Sequence, residues 1–261
     1  SRWSPTKLWM ALRVEGGEHG LAGGGVKTAR PAGAAPRIGL SPRPMTRKLS
    51  LTVDGKNVAV HLHKGDLPAN VAFSGPIAVD SETMGLSLVR DPLCLVQLSD
   101  GGSEAHLVQL DRASYDAPNL KRILADPNRL KLFHFARFDL AMFMRDLSVV
   151  CAPVYCTKVA SKLVRTYTDK HGLKDLTKEV LGRDISKEQQ SSDWGAPELS
   201  DAQLAYAASD VLHLHALKER LDAMLAREGR TEIAQSCFDF LPTRSALDLA
   251  GWEETDIFAH Q

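Results

Sequence analysis

The stretch Ile77-Ala78-Val79-Asp80-Ser81-Glu82-Thr83 constrains this chain more than any other. An apolar run following Gly75-Pro76 reads as a strand entering a core, and it ends in two carboxylates two positions apart. On a strand, residues i and i+2 point to the same face. Asp80 and Glu82 therefore converge at the edge of a sheet, where like charges repel unless a cation neutralises them. Hard divalent cations such as Mg²⁺ take oxygen ligands of this kind. A strand end running into a solvated acidic turn explains most Asp-x-Glu pairs equally well, so other carboxylates must decide the matter.

Two later segments supply them. Asp139 opens a helix after the strand Leu130–Phe135. Helix N-termini favour anions, and a strand-to-helix junction is where α/β sheets place chemistry; both readings stand at this point. Tyr206 and Asp210 are four residues apart and share a helix face, flanked by the apolar stripe Leu204, Ala207, Ala208, Val211 and Leu212. A buried Asp without a partner is costly, which argues against a bland placement of Asp210. An isolated Tyr in such a stripe is equally a core residue with a satisfied hydroxyl. Four carboxylates converging on one site match a two-metal phosphodiester hydrolase, with ions about 3.5–4 Å apart activating water and stabilising the leaving oxygen.

The element pattern gives this set a frame. Leu49–His63 reads as a hairpin turning at Asp54-Gly55. The Asp80 strand, Cys94–Ser99 and Ala105–Leu110 follow as an antiparallel meander of three strands. A short helix over Pro118–Ala125 and the strand and helix around Asp139 come next. From Thr157 the pattern is helical, interrupted at Gly172 and Gly182. A polar loop, Ser186–Leu199, precedes one long helix from Ser200 to about Arg227. The expectation is an α/β fold: a mixed sheet, three antiparallel strands plus parallel ones, flanked by helices.

Charge and composition limit the partners. Of 261 residues 44% are hydrophobic and the formal net charge is 0. Residues 1–48 carry nine Lys/Arg against Glu15 and Glu18, leaving the remainder with 23 basic and 30 acidic side chains. A long polyanion is usually gripped by a basic surface, so an acidic body favours a short substrate. Residues 1–48, rich in Gly, Pro, Ala and Arg, read as a disordered basic extension, with Met45 as the natural start and residues 49–261 as the folded domain. No apolar run approaches the roughly 20 residues of a membrane span. Cys94, Cys151, Cys156 and Cys237 form no C-x-x-C pair; buried thiols in a reducing, cytoplasmic setting are expected.

In Val79-Asp-Ser-Glu-Thr, Phe133-His-Phe-Ala-Arg-Phe-Asp139, Lys187-Glu-Gln-Gln-Ser-Ser-Asp-Trp194 and Leu204-Ala-Tyr-Ala-Ala-Ser-Asp-Val211, the chain resembles the DEDD 3′–5′ exonucleases. The sister subgroup has a His five residues before the last Asp; here Ala205 stands there, so the resemblance is to the Tyr-containing subgroup that includes RNase D. The stretches from Cys156 to Lys174 and from Phe240 to His260 resemble the short NrnC nano-RNases. The resemblance implies an RNase H-like fold, two divalent cations (Mg²⁺ or Mn²⁺), an octameric ring, and hydrolysis of short RNA, chiefly dinucleotides, to mononucleotides. It further implies that Asp80 bridges both ions, that Glu82 and Asp210 complete the one holding the attacking water, and that Asp139 holds the other. Tyr206 is expected to orient that water and help deprotonate it. Leu86, next to Met84 and Thr83, is expected to wedge against the bases, with ordinary core packing as the alternative. Lys187, Gln190, Ser191 and Trp194 fit phosphate positioning and base stacking; a solvated loop with Trp194 pinned in the core fits as well. His134 and Arg137 are placed for phosphate contact, although His134 is equally able to be satisfied locally. Two rival functions remain: RNase D-like trimming of longer RNA, and a nucleic-acid-binding module without catalysis.

Overall fold

The computed structural model describes residues 46–260 apart from Asp54 and Lys187, and leaves the side chain of Lys56 out. The basic extension and the start at Met45 fall outside the described residues, but Thr46-Arg47-Lys48, expected in the extension, are strand. Seven strands form one sheet in the order β1-β2-β5-β4-β3-β6-β7. They are β1 (Thr46–Val53), β2 (Lys56–Lys64), β3 (Ile77–Thr83), β4 (Leu93–Ser99), β5 (Glu104–Gln109), β6 (Lys131–Phe133) and β7 (Val154–Cys156). The hairpin and the meander are present as expected: β1 pairs with β2, β3 with β4, and β4 with β5, all antiparallel. The β2–β5, β3–β6 and β6–β7 pairs are parallel, so the sheet is mixed and the RNase H-like reading holds.

Burial explains the order. All seven residues of β4 are buried, and a strand apolar on both faces belongs in the middle of a sheet covered by helices on each side. β3 is buried through Ile77, Ala78 and Val79 and opens to partial exposure from Asp80 onward. Its pairing with β6 covers only Ile77 and Ala78. Beyond that point the edge of β3 is free, and the chain leaving β6 turns beside it into a helix.

The helices are α1 (Pro118–Leu124), α2 (Ala136–Met142), α3 (Thr157–Val164), α4 (Leu173–Leu181), α5 (Asp201–Leu212), α6 (Leu214–Arg227) and α7 (Thr231–Leu247). The long helix expected from Ser200 to Arg227 is two, broken at His213. The apolar stripe runs unbroken across the joint through Val211, Leu214, Leu217 and Leu221, so periodicity alone does not reveal the break. A capping box starts α5: Gln203 N–H donates to Ser200 Oγ at 3.2 Å, and Ser200 N–H donates to Gln203 Oε1 at 2.9 Å. This satisfies two of the donors a helix start leaves open. Leu204, Ala207, Ala208 and Val211 then seat α5 against β3, β4 and β5. Cys94, Cys151 and Cys156 are buried free thiols and Cys237 is half-exposed. No helix among the described residues is long and apolar enough to cross a membrane.

Candidate active site

Asp80 and Glu82 project from the open end of β3, and α5 brings Asp210 onto them. Carboxylate oxygens of these three residues all lie within 4.8 Å of one another. Asp139, in the first turn of α2, enters from the free edge of β3 and accepts a hydrogen bond from Ser81 Oγ at 2.5 Å. Gln97, facing Asp80 across the β3–β4 ladder, donates from Nε2 to Asp80 Oδ2 at 3.4 Å. All four acids and Tyr206 line a single cleft of about 590 Å³.

The electrostatics of this cluster are strained. Burial pushes the Asp80 carboxyl up to about 7. Glu82 is raised well above the usual range by burial and then by Asp80, Asp210 and Asp139. Asp139 and Asp210 are raised by burial and by Asp80. No Lys, Arg or His among the described residues forms an ion pair with any of the four. A desolvated, unpaired, all-oxygen donor set is what a hard divalent cation requires and what a cation would relieve. The residues present therefore fit a divalent metal, with Asp80, Glu82 and Asp210 as the tight group.

Tyr206 lies one helical turn before Asp210, and the two side chains influence each other's titration. Burial, Asp210, Glu82 and Asp80 all raise the phenol further above its ordinary range. A cation held by the carboxylates would offset the part of that rise that comes from Asp210, Glu82 and Asp80.

The expected substrate-binding residues divide. Leu86 is 82% exposed on the cleft rim, which excludes the core alternative, and Thr83, Met84, Gln190 and Ser191 line the same cleft. Gly85 is required by its neighbour: a Cβ there would meet Asp91 Oδ2 at 2.3 Å. Asp91 in turn accepts from the Ser87 N–H and ties the Met84–Pro92 loop together. Trp194 reaches the cleft wall but is only 2% exposed, so it is the pinned tryptophan and offers no free plane for a base. His134 lines the cleft with its Nδ1 2.9 Å from Thr157 Oγ1, and burial drops it to about 3, keeping it neutral. Arg137 does not line the cleft. It donates to Asp248 from Nε and Nη2 and to the Glu253 carbonyl at 2.6 Å, bound to the C-terminal segment instead of facing phosphate. Lys187 lies outside the described residues.

Sequence reading passed over Ser81, Gln97, Phe135 and Lys158. Strand alternation assigns Ser81 to the face opposite its acidic neighbours, and only the short β6 leaves room for Asp139 there. Gln97 was legible just as a polar residue in an apolar strand, which on a fully buried strand is itself a signal.

A family model described as 3′–5′ exonuclease matches residues 65–226. Ribonuclease D of Acidiphilium cryptum is 36% identical over 156 residues, which cover 60% of this chain and 39% of that protein. The chain thus spans well under half the length of that relative. Brucella melitensis NrnC with bound Mg²⁺ is 51% identical with a TM-score of 0.74, covering 77% of this chain and 99% of that one. The same protein bound to pGG gives 52% identity and a TM-score of 0.75, covering 77% and 98%. A family model matching more than half the chain, and a half-identical structure matched almost end to end, place the carboxylate cleft in a known setting: the chain belongs to the Tyr-containing DEDD 3′–5′ exonuclease family, in the RNase D-like group that includes NrnC.

Proposed function

We propose that this protein is a metal-dependent 3′–5′ exoribonuclease that hydrolyses short RNA, dinucleotides in particular, to mononucleotides. The observation that carries the reading is the convergence of Asp80, Glu82, Asp139, Asp210 and Tyr206 in one cleft of about 590 Å³. That volume lies within the range of small-ligand sites, and an otherwise similar NrnC holds pGG. The acidic net charge of the body argues the same way, since a long strand is usually gripped by a basic surface.

Two divalent cations, Mg²⁺ or Mn²⁺, are assigned to the four carboxylates; when bound they lower the pKa of water and offset charge on the phosphoryl oxygens. The side chains of this chain do the rest. Asp80, Glu82 and Asp210 would hold one ion and Asp139, together with Asp80, the other; Ser81 fixes the Asp139 carboxylate, and Tyr206 orients a water through its hydroxyl. Leu86 closes the rim over the terminal base. The same reading carries an octameric ring of identical chains in the cytoplasm. Exposed Ile233, Phe240, Trp252, Ile257 and Phe258 supply apolar surface for such an assembly, and a mass measurement in solution tests it.

The deciding experiment is degradation of RNAs of graded length with Mg²⁺ or Mn²⁺, with Asp80→Asn as control. Faster turnover of two-nucleotide RNA supports the proposal. Equal rates at all lengths favour RNase D-like trimming, and no cleavage at any length leaves a binding module.

A further inference from the structure

With Trp194 sealed in the core, the cleft lacks the base-stacking plane that the sequence offered. Phe135 supplies one. It precedes α2, four residues before Asp139, and holds a left-handed backbone at φ 71°, ψ 41°. Residues with a Cβ avoid that conformation because of contact with the carbonyl oxygen, and strained positions of this kind cluster at functional sites. A Gly or Asn would make the same turn at lower conformational cost. Burial of the ring does not compensate, since Phe135 is 44% exposed. Its neighbours Phe133 and Ala136 are fully buried, so the left-handed turn is what throws the ring outward, and it lands on the lining of the carboxylate cleft.

Lys158 completes the arrangement. It stands in the first turn of α3, lines the same cleft, and carries its Nζ 4.0 Å from the centroid of the Phe135 ring. An ammonium over a ring face is attracted by the ring's quadrupole. It makes no ion pair with a carboxylate among the described residues. The ammonium covers one face of the ring, so a base would stack on the other: π-stacking for the base, and a nearby charge for its phosphate.

We infer that Phe135 is the base-stacking platform of this cleft, and that Lys158 holds the ring in place and meets the phosphate of the nucleotide stacked on it. This inference rests on the proposed exonuclease reading for the identity of its ligand, but its test does not depend on turnover.

Phe135→Ala, Phe135→Trp and Lys158→Met are made in the full chain. Each is measured for dinucleotide hydrolysis with Mg²⁺ and for equilibrium binding of GMP, which cannot be turned over. Phe135→Ala should raise KM and weaken GMP about tenfold, the effect of one lost base stack, while kcat moves much less, and Phe135→Trp should restore both. Lys158→Met should flatten the salt dependence of GMP affinity, which Phe135→Ala leaves intact. Wild-type KM and GMP affinity in Phe135→Ala overturn the inference, and so does a loss that Phe135→Trp fails to restore. Should the wild-type protein cleave no RNA, the proposed function falls alone. The GMP arm still decides this inference, for or against.

Discussion

The indole of Trp194 and the phenol of Tyr206 lie with ring centroids 6.0 Å apart and planes inclined by 37°. Trp194 arrives from the loop before α5, and Tyr206 belongs to that helix. Gln203 of the helix donates from Nε2 to the Asp193 carbonyl at 3.1 Å and fastens the loop to it. The buried indole thus backs the ring whose hydroxyl faces Asp210.

Trp194→Phe keeps an aromatic but shortens the brace. It is expected to leave KM within about twofold and lower kcat about tenfold, since small misplacements near the reacting atoms cost rates of that order. Trp194→Ala should in addition destabilise the fold by about 3 kcal/mol or more through the cavity it leaves. Steady-state kinetics together with urea melts separate the two effects. A Trp194→Phe enzyme with unchanged kcat would show that the contact does not position Tyr206.

Tyr206→Phe removes one oxygen and nothing else from the cleft. The four carboxylates stay, so Mg²⁺ affinity measured calorimetrically without substrate should be unchanged. The rate should fall about a hundredfold, the lower range for a lost proton-handling group. Parallel loss of metal and activity would make the hydroxyl a support for Asp210 and no more.

The carboxylate cluster gives stability a metal-dependent pH profile. Asp80 is raised to about 7, and Glu82, Asp139 and Asp210 lie well above their usual range. An acid whose folded pKa exceeds its unfolded one opposes folding when ionised, and that penalty fades as pH falls through the folded value. In protein stripped of metal, the cluster's own penalty should therefore shrink as pH drops from about 8 toward 5. A cation needs the ionised ligands and removes the penalty, so the rise in Tm on adding Mg²⁺ should grow from pH 5 to pH 8. Taking the difference between paired melts cancels buried histidines such as His63, which burial lowers to about 4. A difference that does not vary with pH would separate the cluster from metal binding.

Much of this site was legible because its chemistry is tied to short-range spacing. Asp-x-Glu on a strand and Tyr-x-x-x-Asp on a helix declare their shared faces without any tertiary information. What escaped depends on contacts between elements. β7 is three residues long, too short for a period to show. The parallel β2–β5 pair, which joins the hairpin to the meander, leaves no local trace. α7 carries Pro242 inside it, and a proline normally argues against a helix interior. Phe135 reads as core in any apolar run until its φ is known. Arg137 shows the opposite failure, a motif residue whose partner, 111 positions away, could not be foreseen.

That partner sets up the sharpest contrast with a phosphate-binding role. Asp248 has a side chain only 2% exposed and is held by Arg137 on one side and by Arg244 on the other. Arg137 also bonds the Glu253 carbonyl, and Ser245 Oγ donates to the Arg137 carbonyl at 2.8 Å, so α2 and α7 are locked together here. Removing one partner of a buried pair leaves a charge poorly compensated, at a cost of about 3–5 kcal/mol when nothing else remains. Arg244 still faces Asp248 and Arg137 is partly solvated, so Arg137→Met should cost less, about 1–3 kcal/mol. KM for a dinucleotide should stay within about twofold, because the guanidinium faces away from the cleft; a lost phosphate contact would cost about tenfold or more in affinity. Asp248→Asn should reproduce the stability loss with the same unchanged KM. A raised KM in Arg137→Met at wild-type stability would return this arginine to the substrate.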